Sequence, residues 1–266
     1  LVAGLAAHQL GERHWNEDEV ELVGLAARIC WAGLERAKAA LHLRRSNEHL
    51  RFLAQLSEEI QPMTDPVQIA QTVSDAVGRR LGANRCSYAE VESNEYFNVV
   101  GEYCDQVPRQ PGRQHYRVFG EAWWRHLQQG HALVIHDVES NPGTGLDVPA
   151  CREALIASAI LVPLHRDERM VAIFKLRQSS ARTWTEAEIE VVELAANLCF
   201  ESIKRARSAE REASIRQQLR DILDRVPEKI ITLTPEGVVD YVSAVTLEYH
   251  GTAPELRAAR WVSFVH

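Results

Sequence analysis

The chain has 266 residues, 45% apolar and 25% charged, with a formal net charge of −7; this suits one or two domains with sizeable cores and gives no encouragement to nucleic-acid binding, which wants a basic face. No run approaches the roughly 20 apolar residues that span a bilayer, so neither nucleic acid nor membrane is expected as a partner. Five scattered cysteines, Cys30, Cys86, Cys104, Cys151 and Cys199, include no CxxC pair; they signal neither a disulfide framework nor a zinc site, and reduced thiols in a cytoplasmic setting are expected.

The first 40 residues return later in the chain. Residues 170–209 align with residues 1–40 without a gap, at an offset of 169. Val2 matches Val171, Trp15 matches Trp184, Glu19 matches Glu188, Cys30 matches Cys199, and Arg36-Ala37 matches Arg205-Ala206. A repeat at a domain-sized period means tandem domains. Residues 1–13 are therefore expected to be the last strand of an upstream domain, cut off from its body, and residues 170–209 the tail of a complete copy.

Each copy reads as strand, polar turn and helix. From Asn16 the first helix can run without a proline to about Ile60, making residues 14–61 a long linker. Its apolar seam steps through Val23, Ala27, Cys30, Leu34, Ala37 and Leu41, then continues through Leu43, Leu50, Leu53 and Ile60 after a change of phase around residues 44–46. Steps of four and three residues make one stripe, and a stripe prolonged past a domain predicts a parallel homodimer, while a helix packed on its own domain accounts equally well for the first half of each seam.

Asp65-Pro66 starts a new helix, with Asp65 as N-cap and Pro66 in the first position; Ile69, Val73, Ala76, Val77 and Leu81 form its apolar face and Gly82 closes it. Strands are predicted over 85–92, 96–103, 114–118, 132–136, 157–164 and 170–176, the last ending at Lys175 and Arg177. Short helices are predicted over 119–129 and 148–155, and the adjacent Trp123 and Trp124 imply that one faces the core and the other the surface. A second long helix opens at Thr183 or Thr185, with Glu188 completing a capping box, and runs to Arg225. Its seam is Val192, Ala196, Cys199, Ile203 and Ala206, followed by Ile215, Leu219, Ile222 and Val226. Six short strands bracketed by helices indicate an α+β domain built on an antiparallel six-stranded sheet.

Four segments together, Arg85-Cys86-Ser87-Tyr88-Ala89-Glu90-Val91, Ile135-His136-Asp137-Val138, Ile160-Leu161-Val162-Pro163-Leu164 and Arg182-Thr183-Trp184-Thr185-Glu186, resemble a GAF domain of the kind found in bacterial multidomain sensor histidine kinases. The resemblance covers residues 62–204 and recurs in residues 1–40. Residues 205–226 then form a helical linker, and residues 227–266 resemble the N-terminal half of a PAS domain, with a hairpin around Pro235-Glu236-Gly237. The resemblance implies a sensory and signal-transmitting region that dimerises through its linker helices and passes its signal to an output kinase domain of the parent chain. It also implies a pocket between the sheet and the loops after Val118. Tyr116, Trp123, His126, His136, Asp137, Cys151, Arg152 and Ser158 are the candidate lining residues, and the ligand is not identified.

The chain itself is expected to be non-catalytic. Asn47-Glu48-His49-Leu50-Arg51 is its nearest approach to a phosphoacceptor site, yet the acid precedes the histidine and no Thr-Pro follows. Glycine-rich nucleotide loops are missing. The alternative is a chromophore or small-ligand receptor of a phytochrome-like protein. Relatives that hold a linear tetrapyrrole attach it to a cysteine followed by histidine, whereas Cys151 is followed by Arg152, so a bilin is not expected.

Overall fold

A computed structural model describes residues 4–8, 10–93, 95–140 and 145–250. The second part of the PAS-like segment, residues 251–266, lies outside the described residues. The chain divides into two compact units, residues 1–62 with 70–199, and residues 63–69 with 200–266.

The first long helix, α1 (Glu17–Ile60), is 44 residues long. Its start is fixed by a capping box: the Asn16 side chain accepts from the Glu19 N–H, and the Glu19 carboxylate accepts from the Asn16 N–H. α5 (Glu186–Arg225) opens the same way, with Thr185 and Glu188 in the two roles. The repeat extends to geometry. Arg13 pairs with Glu19 and lies over the Trp15 ring, as Arg182 pairs with Glu188 and lies over the Trp184 ring. The surroundings differ, however: Trp184 is 3% exposed and Trp15 43%. Residues 4–8 form no strand. A strand needs a hydrogen-bonded neighbour, and none is present for this segment among the described residues.

Between the long helices lie α2 (Pro66–Leu81), β1 (Arg85–Val91), β2 (Tyr96–Cys104), β3 (Gly112–His115), α3 (Ala122–Gln128), β4 (Leu133–Ile135), α4 (Val148–Glu153), β5 (Ser158–Arg166) and β6 (Arg169–Gln178). The six strands make one sheet in the order β3-β2-β1-β6-β5-β4, antiparallel throughout. This is the α+β sheet flanked by helices that the pattern predicts.

Several boundaries move for physical reasons. β3 stops at His115 because its register reaches the first residue of β2 there (Tyr96↔His115), and the chain continues as a 3-10 turn, Tyr116–Phe119. The next helix starts at Ala122 rather than at residue 119, since Gly120 takes φ 97°, a conformation that favours glycine. β6 extends to Gln178, paired with β5 along its length. Trp123 and Trp124 are both buried, correcting the expectation that one of them faces the surface. α3 is covered on more than one side: Trp124 stacks on Tyr116 at 4.6 Å while Trp123 meets Phe119 edge-on.

α2 presses directly on the sheet. A Cβ at Gly101 would sit 2.4 Å from the Ala70 carbonyl carbon, and one at Gly78 would sit 2.1 Å from the Tyr103 ring. Gln71 completes this contact by bonding both the N–H and the C=O of Glu102, next to the register shift between Tyr88 and Ala89.

In the second unit, β7 (Ile231–Leu233) and β8 (Val239–Val242) form the expected hairpin and lead into α6 (Ala244–His250). Asp224 accepts from the Tyr241 hydroxyl at 2.6 Å and from the Ala244 N–H at 2.9 Å.

Gly101→Ala should destabilise the fold by about 1–3 kcal/mol, the usual cost of overpacking, because its obstacle is backbone. The check is the urea midpoint at constant slope. An unchanged midpoint would mean that α2 can step back from the sheet at little cost.

Candidate functional site

One face of the sheet, together with α3, α4 and the turn after β3, encloses a cavity of about 30 Å³. Phe97, Phe119, Trp123, Ile135, Leu146, Cys151, Ile156, Ala159 and Leu161 supply its apolar wall, and Lys175 and Arg177 line it from β6. That space is on the order of two water-sized volumes. α4 is set beside it by an Asp147 side chain that accepts from the Ala150 N–H at 3.0 Å and by Pro149 in its first turn.

Lys175 and Arg177 sit on a charged ladder. Ser87, Lys175 and Leu161 are cross-strand neighbours, and so are Arg85, Arg177 and Ala159. Glu102, opposite Ser87 on β2, is the carboxylate of this ladder. Its Oε2 accepts from the Gln110 N–H at 2.9 Å, while its Oε1 lies 3.4 Å from the Arg85 Nε as an ion pair without a hydrogen bond. The Lys175 Nζ and the Arg177 Nε and Nη2 are buried without a hydrogen-bond partner among the described residues, as are the Trp123 Nε1 and Ser87 Oγ.

This arrangement costs stability. Lys175 and Arg177 are 3% and 4% exposed, and a buried unpaired ion carries a penalty of several kcal/mol. The Lys175 ammonium lies 4.0 Å from the centroid of the Phe97 ring. Such a contact returns about 2 kcal/mol when desolvated, which leaves the balance unfavourable. Burial, with Arg177 beside it, accordingly holds Lys175 well below the ordinary lysine range, and burial with Arg85 nearby pulls Arg177 down to about 10.

Of the sequence-derived candidates, Trp123 and Cys151 line the cavity. Tyr116 is buried in the stack with Trp124. His126 bonds the Ala132 carbonyl at 3.3 Å, and Ser158 donates to the Ser180 carbonyl at 3.0 Å. Asp137 closes its own turn, accepting from the Glu139 N–H and the Ser140 hydroxyl, and Arg152 pairs with Glu139 at the surface. His136 tethers the helix that follows β6: its Nδ1 accepts from the Trp184 N–H at 3.1 Å, and its carbonyl accepts from the Arg182 N–H at 2.9 Å. Beside it, the Trp184 indole N–H donates to the Ile135 carbonyl at 3.2 Å. Burial and Asp147 push the Cys151 thiol up to about 11, so it stays protonated near neutrality and is a weak nucleophile.

Lys175 and Arg177 are the residues that sequence reading missed. They read as the end of a strand, yet Ile173, Lys175 and Arg177 alternate within it and so share one face. That period was the available signal.

The family model for the GAF domain matches residues 63–203. The chain belongs to the GAF family. GAF domains are sensory, ligand-binding domains, and this one shares its fold with solved structures of low sequence identity. The phycoerythrobilin-bound GAF domain of a cyanobacterial phytochrome is 14% identical with a TM-score of 0.54, covering 61% of this chain and 97% of its own. The chromophore-binding domain of a bacteriophytochrome from R. palustris is 17% identical with a TM-score of 0.53; the match covers 63% of this chain and 64% of that one. The GAF domain of a phosphoenolpyruvate-protein phosphotransferase from Acinetobacter is 13% identical with a TM-score of 0.50, covering 61% and 96%. No curated protein matches the sequence. Among the described residues no helix is long and apolar enough to cross a membrane, and no group of three or more His, Cys, Asp or Glu side chains is placed to hold a metal ion.

The depressed Lys175 gives a pH test. Between its folded pKa and the ordinary value of 10.5, the unfolded chain holds a proton that the GAF domain lacks, so raising the pH through that window stabilises the fold. Measured against Lys175→Met by urea denaturation, wild-type stability should climb relative to the variant as pH rises from neutrality toward 10; a difference independent of pH would show that Lys175 titrates normally.

A second check uses the thiols. Cys86 and Cys199 are fully buried and Cys30 is exposed, so native alkylation mapped by mass spectrometry should label Cys30 first and leave the other two unmodified until the domain unfolds.

Proposed function

We propose that this chain is a sensory and signal-transmitting region of a bacterial multidomain signal-transduction protein, a sensor histidine kinase in the leading reading. The GAF core senses a small molecule, the long helices pair with those of a second copy, and an output kinase domain of the parent chain receives the signal in the cytoplasm. The chain itself does no chemistry in this reading.

The observation that carries the proposal is the continuity of α5. It is one helix of 40 residues. Val191, Val192, Ala195, Ala196 and Cys199 near its start are buried, as is Ile203, while Ile215, Leu219 and Ile222 further along are exposed. The seam therefore has two parts. Cys199 and Ile203 are covered within a single chain, and the later stripe is free to meet a copy of itself. Leu34, Leu41 and Leu50 on α1 are likewise exposed, and Leu53 is half-buried.

The geometry around Trp15 supports an upstream GAF copy. It reproduces the set around Trp184 without the body that covers that side chain. Downstream, the β7–β8 hairpin and α6 agree with the start of a PAS domain. The phytochrome-like alternative is less well supported, because Cys151 is a buried, protonated thiol and a linear tetrapyrrole far exceeds a cavity of about 30 Å³.

The test is assembly. Ile215→Asp and Leu219→Asp change exposed positions, so the fold should survive while dimers seen by sedimentation dissociate to monomers. If the double variant sediments like wild type, helix-mediated dimerisation is wrong. Native mass spectrometry of the same samples reads the sensory half: mass lost on denaturation is a bound ligand.

A further inference from the structure

We propose that the cavity of this GAF domain takes a small organic carboxylate, with its two oxygens bound by the Lys175 ammonium and the Arg177 guanidinium and its apolar body against Trp123, Ile135 and Ile156. The inference rests on the sensory reading above and names the chemistry of its ligand.

The cavity has an excess of donors over acceptors. Lys175, Arg177 and Trp123 line it, each with a buried N–H group lacking a partner among the described residues. The nearby Glu102 carboxylate offers one oxygen without a hydrogen-bond partner, but it does not line the cavity. A ligand that brings acceptors and negative charge satisfies the two cationic donors. A cationic ligand would add a further buried positive charge, and a neutral one would bring acceptors without the charge that opposes two buried cations.

The shape narrows the class. Both cations come from one strand, two residues apart and therefore on one face, whereas the other named walls are apolar. A planar carboxylate needs donors on one edge and matches a guanidinium fork. Tetrahedral phosphate brings four oxygens and no apolar body, a poor match to walls that are mostly apolar. The volume of about 30 Å³ further limits the ligand to a compact acid.

The full chain is titrated with formate, acetate and propionate, with the amide and amine counterpart of each, and with inorganic phosphate, while tryptophan emission and Tm are followed. The expected result is a saturable emission change and a higher Tm with at least one carboxylate and not with its amide. Lys175→Met and Arg177→Met should each weaken that binding by about tenfold to a hundredfold, the range for hydrogen bonds to charged groups. Lys175→Met should also melt no lower than wild type in carboxylate-free buffer, since it removes an unpaired charge. Arg177→Lys keeps the charge and loses the fork, so it provides a folded control that should still bind more weakly. Binding of amides or amines in place of carboxylates overturns the proposal and leaves the sensory reading intact. Phosphate binding alone, an adventitious ion only, overturns it too. No binding across the whole set, with native mass spectrometry also showing no ligand, removes the sensory reading as well.

Discussion

Strand β6 is hydrogen-bonded on both edges, to β1 and to β5, and its side chains must enter one of two interiors. Ala172, Phe174 and Leu176 take one side, and Ile173, Lys175 and Arg177 the other; all six are buried. A strand in this position offers no route to water for a charged head group. Placing a lysine and an arginine there fixes a buried positive field inside the domain, and the cavity forms around it. An edge strand such as β3, paired only with β2, imposes no such confinement.

The two faces of the sheet therefore do different work. On one, α2 approaches so closely that Gly78 and Gly101 leave no room for a methyl group, and Cys86, Tyr88 and Phe174 are fully enclosed. On the other, packing is interrupted: aromatic and aliphatic side chains stop short of filling the space, and donors remain without acceptors. Close packing is the norm for protein interiors, and stability is commonly given up at sites that bind. The contrast within a single sheet separates scaffold from site.

Much of this was legible in the sequence. The capping box at Thr185 and Glu188, the length of both long helices, the six strands and the repeat of residues 1–40 follow from local chemistry, because caps and periodicity act over a few residues. Placement of the site was less so. Tyr116, His126, His136, Asp137, Arg152 and Ser158 were plausible cavity residues by type, but each has a nearby backbone, side-chain or ring partner that only the fold reveals. The pair that matters most, Lys175 and Arg177, looked like the polar end of a strand. Whether a charged residue ends a strand or faces an interior depends on how far its neighbours continue, and the pairing of β5 with β6 out to Ser158 and Gln178 is a long-range property.

The bond from Trp184 to the Ile135 carbonyl has a mechanical consequence. β4 is three residues long and paired on one edge only, which makes it the most yielding wall of the cavity. Its last residue is fastened to the approach to α5, so any movement of Ile135 is felt by the segment that opens that helix. A shift of a three-residue strand is thereby coupled to the helix start through one buried hydrogen bond, and the wall of the cavity and the root of the helix move as one piece.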